Sequence, residues 1–310
     1  MISAPTAAQG ERCDVLVIGG GPAGATIAAL LAAQGRDVLM LEKAHHPRFH
    51  IGESLLPANV ALFERLGVRD AVERIGMRKW GVEFVSPDHA HQSLLEFGDA
   101  WDKTMPYAWQ VRRSELDELL FRHAQQRGAR TQEGCRVREV RFDDEGATVE
   151  ARLDDGARRS VRARFVVDAS GRDTFLANKL RSKQKNPKHN SAALFGHFTG
   201  AQRLPGRLEG NISIFWFAHG WFWLIPLALL PEVARQAAGG FFCRHHHAVP
   251  AARRAPGERD LGGRHRACHR QLLLRRHALQ RRALPDARRR LHLRRPGVLL
   301  GRLPGDAECL

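Results

Sequence analysis

The residues best suited to chemistry near the start of the chain are three glycines with GxGxxG spacing, Gly19, Gly21 and Gly24. They stand between the apolar run VLVI and small residues at helical spacing, which predicts a strand, a tight turn and a helix. In such a turn the glycines permit the bend, the approach of a pyrophosphate and close helix packing. A second apolar run, VLML, leads into Glu42, whose carboxylate can accept from ribose hydroxyls. A merely structural glycine turn is the alternative to a dinucleotide site formed by Gly19, Gly21, Pro22, Ala23, Gly24, Glu42 and Lys43.

The segment HHPRFHIGESLLP directly follows the second predicted strand, where an NAD dehydrogenase would usually continue its βα units. Here the chain resembles the flavin-dependent halogenases and their relatives among the FAD monooxygenases. The resemblance implies FAD as the cofactor, with Arg48, Gly52, Glu53 and Ser54 in contact with the flavin or beside it. The alternative is a solvated loop in which Ser54 caps a helix over residues 56 to 66.

Two further residues match flavin-site positions of these families. Arg113 begins the amphipathic segment RSELDELLFRHA, and the resemblance places it near the flavin; a solvated arginine at a helix start is the alternative. Asp168 leads the turn DASGR after the apolar run FVV, which predicts a buried strand, and it resembles the aspartate of the second FAD fingerprint. It could instead cap the helix that follows.

The stretch WFWLIP contains Trp221, Trp223, Ile225 and Pro226. Two tryptophans two positions apart on a strand face the same side, and a core position would explain them. The full set also matches the WxWxIP signature of flavin-dependent halogenases, in which the segment lies near the flavin and is thought to keep organic substrate away from it. The resemblance therefore favours halide oxidation over direct attack on an organic substrate.

Lys79 stands where the halogenases carry their catalytic lysine, downstream of GESLLP. Its ammonium could hold hypohalous acid by a hydrogen bond, or its free amine, favoured by desolvation, could form a haloamine. A solvated lysine is the alternative. The resemblance implies that FAD, as FADH2 from a separate flavin reductase, is used with oxygen and chloride or bromide to halogenate a small or carrier-bound, electron-rich aromatic. An FAD monooxygenase or another flavin oxidoreductase of the same fold would need neither Lys79 nor WxWxIP.

The charge of the chain is concentrated at one end. The net charge is +16, and residues 231–310 hold 18 arginines against six acidic residues. A basic tail can indicate a nucleic-acid partner, but this one has no Lys, Ser, Thr, Asn, Tyr or Trp. We expect no nucleic-acid partner, no membrane association and a cytoplasmic protein. The five cysteines lack CxxC spacing, which argues against a zinc site, and no metal is expected.

The composition of residues 231–310 is typical of GC-rich codons read in a shifted frame. With suitable third bases, residues 288–307 back-translate so that removal of one base gives GDAYTFVDPVFSSGVYLAM. This resembles the GDA...DPVFSSGV segment of the halogenases, and the first base of each shifted codon is fixed by the second base of the original one. We therefore predict a frameshift near residues 228–240, with loss of the segment that closes over the flavin in the family.

These patterns predict an α/β protein with a Rossmann-like FAD-binding fold, an interleaved β-sheet substrate domain and an irregular C-terminal region. We expect FAD-binding parts at 12–78 and 109–175, separated by a substrate-domain excursion at 79–108. The substrate-domain sheet with WxWxIP is expected at 176–230, and the basic tail at 231–310.

Overall fold

The computed structural model describes residues 11–184, 186, 193–218 and 220–228. The described strands are β1 Glu11–Ile18, β2 Val38–Leu41, β3 Met77–Lys79, β4 Gly81–Val85, β5 Gln92–Glu96, β6 Ala108–Gln110, β7 Arg130–Gln132, β8 Cys135–Asp143, β9 Gly146–Leu153, β10 Arg158–Asp168, β11 Ile212–Phe217 and β12 Gly220–Leu224. The described α-helices are α1 Pro22–Ala32, α2 Ala58–Leu66, α3 Arg69–Ile75, α4 Arg113–Gln126 and α5 Phe175–Lys179.

A six-stranded sheet in the order β7-β2-β1-β10-β9-β8 carries the first glycine turn. Strand β1 runs parallel to β2 and to β10, while β8, β9 and β10 form the antiparallel meander that their alternating sequences predict. The apolar run VLVI is buried throughout, as expected of a central parallel strand covered on both faces. Because parallel strands end at the same edge, β1, β2 and β10 bring their C-terminal loops together.

The two faces of this sheet have separate hydrophobic cores. Val15 and Val17 of β1 join a core with the small residues of α1 and the apolar stripe of α4. Leu16 and Ile18 point to the other face and pack with residues of the meander. The alternation follows from the two-residue period of a strand. Helix α1 is thereby fixed with its first turn at the end of β1.

A second, four-stranded sheet has the order β12-β11-β4-β5, and β3 pairs with β6 in a third sheet of two strands. The mixed α/β architecture confirms the predicted fold class. Phe165, expected within a buried strand, is 42% exposed, because it alternates with the buried Val166 on β10. The domain limits remain predictions, and the predicted irregular tail and frameshift lie outside the described residues.

The helix bounds differ slightly from the sequence patterns. Helix α2 begins at Ala58 with Pro57 at its N-cap, and no side chain caps it, so the alternative in which Ser54 caps the helix is wrong. Among the helices that the structure describes, none is long and apolar enough to cross a membrane.

Candidate functional site

The turn after β1 needs glycine at its first and last motif positions. Gly19 has φ +101°, and a Cβ there would lie 2.6 Å from the carbonyl oxygen of Ala169. A Cβ on Gly24 would lie 1.9 Å from the carbonyl oxygen of Gly19, so the helix could not pack this closely on the turn. At Gly21 the nearest atom to such a Cβ is a guanidinium nitrogen of Arg48 at 3.6 Å. Close packing within the protein therefore explains why Gly19 and Gly24 are glycines, whereas a Cβ at Gly21 would make only ordinary contact.

The Glu42 carboxylate ties this turn to the end of β2. It is 3% exposed, and its Oε2 accepts a hydrogen bond of 2.6 Å from the amide of Gly20. Its Oε1 accepts from the amide of Ala44 at 2.9 Å. Both contacts are with backbone, and each carboxylate oxygen has a further lone pair for a ribose hydroxyl. The side chain of the next residue, Lys43, forms an exposed ion pair with Asp173.

Two arginines predicted to bind the cofactor meet at a buried carboxylate that the sequence analysis missed. Asp117 is fully buried and accepts from Arg113 through Nε at 2.8 Å and Nη2 at 3.1 Å. Arg48 Nη1 lies 3.3 Å from Asp117 Oδ2, and Arg48 Nη2 lies 3.6 Å from Glu42 Oε2. We call Glu42, Arg48, Arg113 and Asp117 the buried charge cluster. The four-residue spacing of Arg113 and Asp117 on a helix was the available signal.

The environment of the glycine turn fits the pyrophosphate of a dinucleotide. The Nε of Arg48 is buried without a hydrogen-bond partner, and such an orphaned donor of a charged group requires an acceptor. The first turn of α1 has no capping side chain and no acidic residue, so its amides are free to bind an anion. A cavity of about 220 Å³ adjoins this turn, lined among others by Pro22, Ala23, Gly52 and Arg113. The residues present therefore suit an anionic, two-phosphate ligand.

The GESLLP segment approaches both α4 and β6. Gly52 has φ +104°, and Arg113 Nη1 donates to the carbonyl oxygen of Ile51 at 2.7 Å. The backbone carbonyl of Glu53 accepts from the amide of Val111 at 2.8 Å. Ser54 forms an isolated antiparallel bridge with Gln110. These contacts hold the segment alongside the buried charge cluster.

Lys79 is buried beside this segment. Its side chain donates a hydrogen bond of 2.5 Å from Nζ to the hydroxyl of Ser54, and Nζ lies 5.6 Å from the ring centre of Phe97. The residue is 1% exposed, and burial lowers its pKa from 10.5 to about 8. No ion pair within the described residues includes Lys79. The alternative of a solvated lysine is therefore wrong, and burial brings the pKa of the amine closer to neutral pH.

Asp168 occupies the turn that faces the first glycine motif. Its Oδ1 accepts from the amide of Ser170 at 3.0 Å and its Oδ2 from the amide of Leu176, in the first turn of α5, at 2.7 Å. The capping role left open by the sequence is thus present. The amide of Ala169 donates to the carbonyl of Ile18 at 2.9 Å, which places this turn against Gly19.

The WxWxIP residues lie on and after β12. Trp221 and Trp223 share one face, with ring centres 6.5 Å apart, but they are 46% and 52% exposed. A core position therefore does not describe them. Ile225 is half-buried and Pro226 is buried. Within the described residues β12 lies at one edge of its sheet, and the exposure of both tryptophan rings makes this face of the strand a surface rather than a packed interior. Within the described residues, no group of His, Cys, Asp and Glu side chains could hold a metal.

The fold and the site together define an FAD-type dinucleotide-binding domain, and comparisons with known proteins agree. The model of the FAD binding domain family matches residues 12–219. The tryptophan 2-halogenase of Chondromyces crocatus is 38% identical over 223 residues, covering 69% of this chain and 41% of that protein. This chain therefore belongs to the FAD binding domain family, and over about 70% of its length it is similar to flavin-dependent halogenases.

Solved structures support the same assignment. The myxobacterial chondrochloren halogenase, described as a variant of FAD-dependent halogenases, has a TM-score of 0.61 and 32% identity, with coverage of 74% of this chain and 55% of that one. A flavoprotein/dehydrogenase from Cytophaga hutchinsonii has a TM-score of 0.60 and 30% identity, with coverage of 70% and 53%. The chain spans about two fifths of the length of the curated relative named above.

Proposed function

We propose that the protein is a component of an FAD-dependent halogenase that uses FADH2, oxygen and chloride or bromide to halogenate an electron-rich aromatic. The observation that carries this proposal is Lys79, buried without a counter-ion in the described structure and hydrogen-bonded to Ser54 of the GESLLP segment. The halogenase relatives support it. A separate flavin reductase would supply FADH2, and the substrate would be a small or carrier-bound aromatic.

In this proposal the glycine turn and the buried charge cluster hold the cofactor. Gly19, Gly21, Pro22, Ala23 and Gly24 form the cradle for the pyrophosphate, while Arg48 supplies its orphaned Nε as a donor. Lys43 and Asp168 frame the same edge of the sheet, since Lys43 follows β2 and Asp168 ends β10. Bound FAD, once reduced, would supply the electrons that activate oxygen.

Lys79 would hold the oxidised halogen. With a pKa of about 8, about nine tenths of the side chains carry a proton at pH 7, and an ammonium can donate a hydrogen bond to hypohalous acid. The remaining tenth is free amine, which can form a haloamine. Trp221, Trp223, Ile225 and Pro226 would form the wall that separates the organic substrate from the flavin. Burial, rather than a neighbouring charge, lowers the pKa of Lys79, and this makes both the ammonium and the free amine accessible.

A second candidate function is an FAD monooxygenase or another flavin oxidoreductase, which the similarity to a flavoprotein/dehydrogenase favours. The test supplies the frame-restored protein with FADH2, oxygen, bromide and an aromatic such as tryptophan, and product mass is measured. Halogenated product supports the halogenase, whereas hydroxylated product alone supports the monooxygenase. Lys79→Ala should abolish halogenation and leave FADH2 oxidation nearly intact, and the exposed Lys103→Ala serves as the matched control. Equal loss of both activities would remove Lys79 from catalysis.

The frameshift belongs to the same proposal. The natural codons for residues 228–310 should encode GDA...DPVFSSGV in another frame, and their sequence decides this directly. We expect the frame-restored protein to bind FAD more tightly and to halogenate, and the 310-residue chain to be a poor enzyme or none. A stoichiometric FAD complex with halogenating turnover in the 310-residue chain would contradict this expectation.

A further inference from the structure

Asp117 lies at the centre of the buried charge cluster and contacts both of its arginines. Its bidentate pair with Arg113 uses Nε and Nη2, and its Oδ2 lies 3.3 Å from Nη1 of Arg48. The remaining Arg113 donor, Nη1, is taken by the carbonyl of Ile51 at 2.7 Å. Asp117 and the Ile51 carbonyl together engage all three nitrogens of the Arg113 guanidinium, and Asp117 also contacts one side of Arg48.

The donors of Arg48 that Asp117 does not occupy lie next to the phosphate cradle. Its Nε is buried and has no partner, and its Nη2 is 3.6 Å from the position of a Cβ on Gly21. Glu42 is a weak competitor for Arg48, since its nearest oxygen is 3.6 Å away and already accepts from Gly20. Arg48 is thus held on one side and open on the side of the glycine turn.

Folding stability by itself does not explain a buried carboxylate at this position. Asp117 sits on α4 beside the core residues Leu116, Leu120 and Phe121, and all of them are almost completely buried. Replacing buried ion clusters by apolar side chains is often neutral or stabilising, because desolvation offsets much of the Coulomb attraction. The two carboxylates and two guanidiniums of the cluster also balance in formal charge, which keeps the arginines buried in the absence of an anion.

We propose that Asp117 is a positioning residue for the cofactor: it aims Arg48 at the pyrophosphate and, through Arg113 and the Ile51 carbonyl, holds the segment that precedes GESLLP. The inference rests on the proposed placement of FAD at the glycine turn. Asp117 would itself touch neither phosphate nor flavin, so its effect on binding must pass through the two arginines, and the part that is specific to the pyrophosphate must pass through Arg48. Loss of one well-aimed hydrogen bond between charged groups weakens binding by about tenfold.

The test measures the affinity of the full chain for oxidised FAD and for riboflavin, which lacks the pyrophosphate, by flavin fluorescence titration. Asp117→Asn should weaken FAD binding about tenfold and leave riboflavin binding within about twofold. On an Arg48→Gln background, Asp117→Asn should cause less than about a twofold further loss, because both changes remove the same contact. Glu118→Gln, on the same helix but paired only with Arg122 at 3.9 Å, is the matched control.

Equal losses for FAD and riboflavin, additive losses in the double variant, or unchanged FAD affinity would each overturn the proposal. A parent chain with no preference for FAD over riboflavin would overturn it as well. Should Asp117→Asn fail to fold, Asp117→Glu keeps the charge, moves the carboxylate by one methylene, and should show the same selective loss of FAD. The titrations contain no halide and no turnover, so failure of the halogenase proposal leaves their result interpretable.

Discussion

Replacing Lys79 by methionine should stabilise the protein near neutral pH, although it removes the residue proposed to be catalytic. Burial lowers the pKa of Lys79 from 10.5 to about 8, a difference that corresponds to a cost of about 3 kcal/mol for the charged form in the folded state. Methionine has similar length and no charge, but it loses the hydrogen bond to Ser54, worth about 1 kcal/mol. The expected net gain in the free energy of unfolding near pH 7 is therefore about 2 kcal/mol.

The gain should depend on pH in a defined direction. Between about pH 8 and 10.5 the unfolded chain keeps the lysine proton while the folded chain has lost it, so the unfolded state binds more protons. Under that condition the stability of the parent rises with pH. Lys79→Met has no such contribution, so its advantage should shrink through this window, cross zero before the upper end and become a deficit of about 1 kcal/mol, the lost hydrogen bond to Ser54.

Urea unfolding of both proteins at several pH values from 7 to 10 measures the difference directly. Subtracting the two curves cancels the contributions of other groups that titrate in the same range. Lys103→Met is the matched control, because Lys103 is exposed and donates only to the carbonyl of Gly98. A Lys79→Met advantage that stays constant across the range, or is absent near pH 7, would refute the assignment of a desolvated lysine.

Two further predictions concern the cofactor edge of the sheet. Gly24→Ala should lower the midpoint of thermal unfolding and abolish FAD binding, because its Cβ would clash with the Gly19 carbonyl. Gly21→Ala should leave the melting midpoint unchanged and weaken only FAD binding. Equal melting midpoints for the two variants would contradict this prediction. Asp168→Ala should cost about 1–2 kcal/mol in urea unfolding, because it removes the acceptor for two backbone amides, and an unchanged unfolding midpoint would exclude that role.

The sequence predicted the features whose causes are local. The turn at Gly19 and Gly24 follows from backbone conformation and close approach, which a short motif encodes. The meander and the helix at Arg113 follow from periodicity. Lys79 was placed by resemblance to a family, because its spacing alone does not distinguish a buried lysine from an exposed one. Lys79 is buried where β3 pairs with β6, and these two strands are separated in the sequence by the predicted substrate-domain excursion.

The features that escaped prediction depend on contacts between distant segments. Asp117 lies within a charged helical stretch, and only the approach of Arg48 from the segment after β2 gives it two partners. Glu42 accepts hydrogen bonds from the backbone amides of Gly20 and Ala44, which its place in the sequence does not indicate, and its contact with ribose stays a prediction. The exposure of Trp221 depends on which segments pack against the face of its sheet. The alternation of side chains along a strand does not predict which segments these are.

Asp117 and Lys79 are both buried, but the groups around them differ, and this difference indicates different functions. Asp117 has two guanidinium partners, so its charge is compensated and can serve only to hold geometry. Lys79 has a hydroxyl partner and a nearby aromatic ring, and within the described residues no carboxylate pairs with it. Burial lowers the pKa of Lys79 to about 8, so this amine can exchange a proton during a reaction. On this basis we predict that the cluster at Asp117 serves cofactor binding and that Lys79 serves the chemical step.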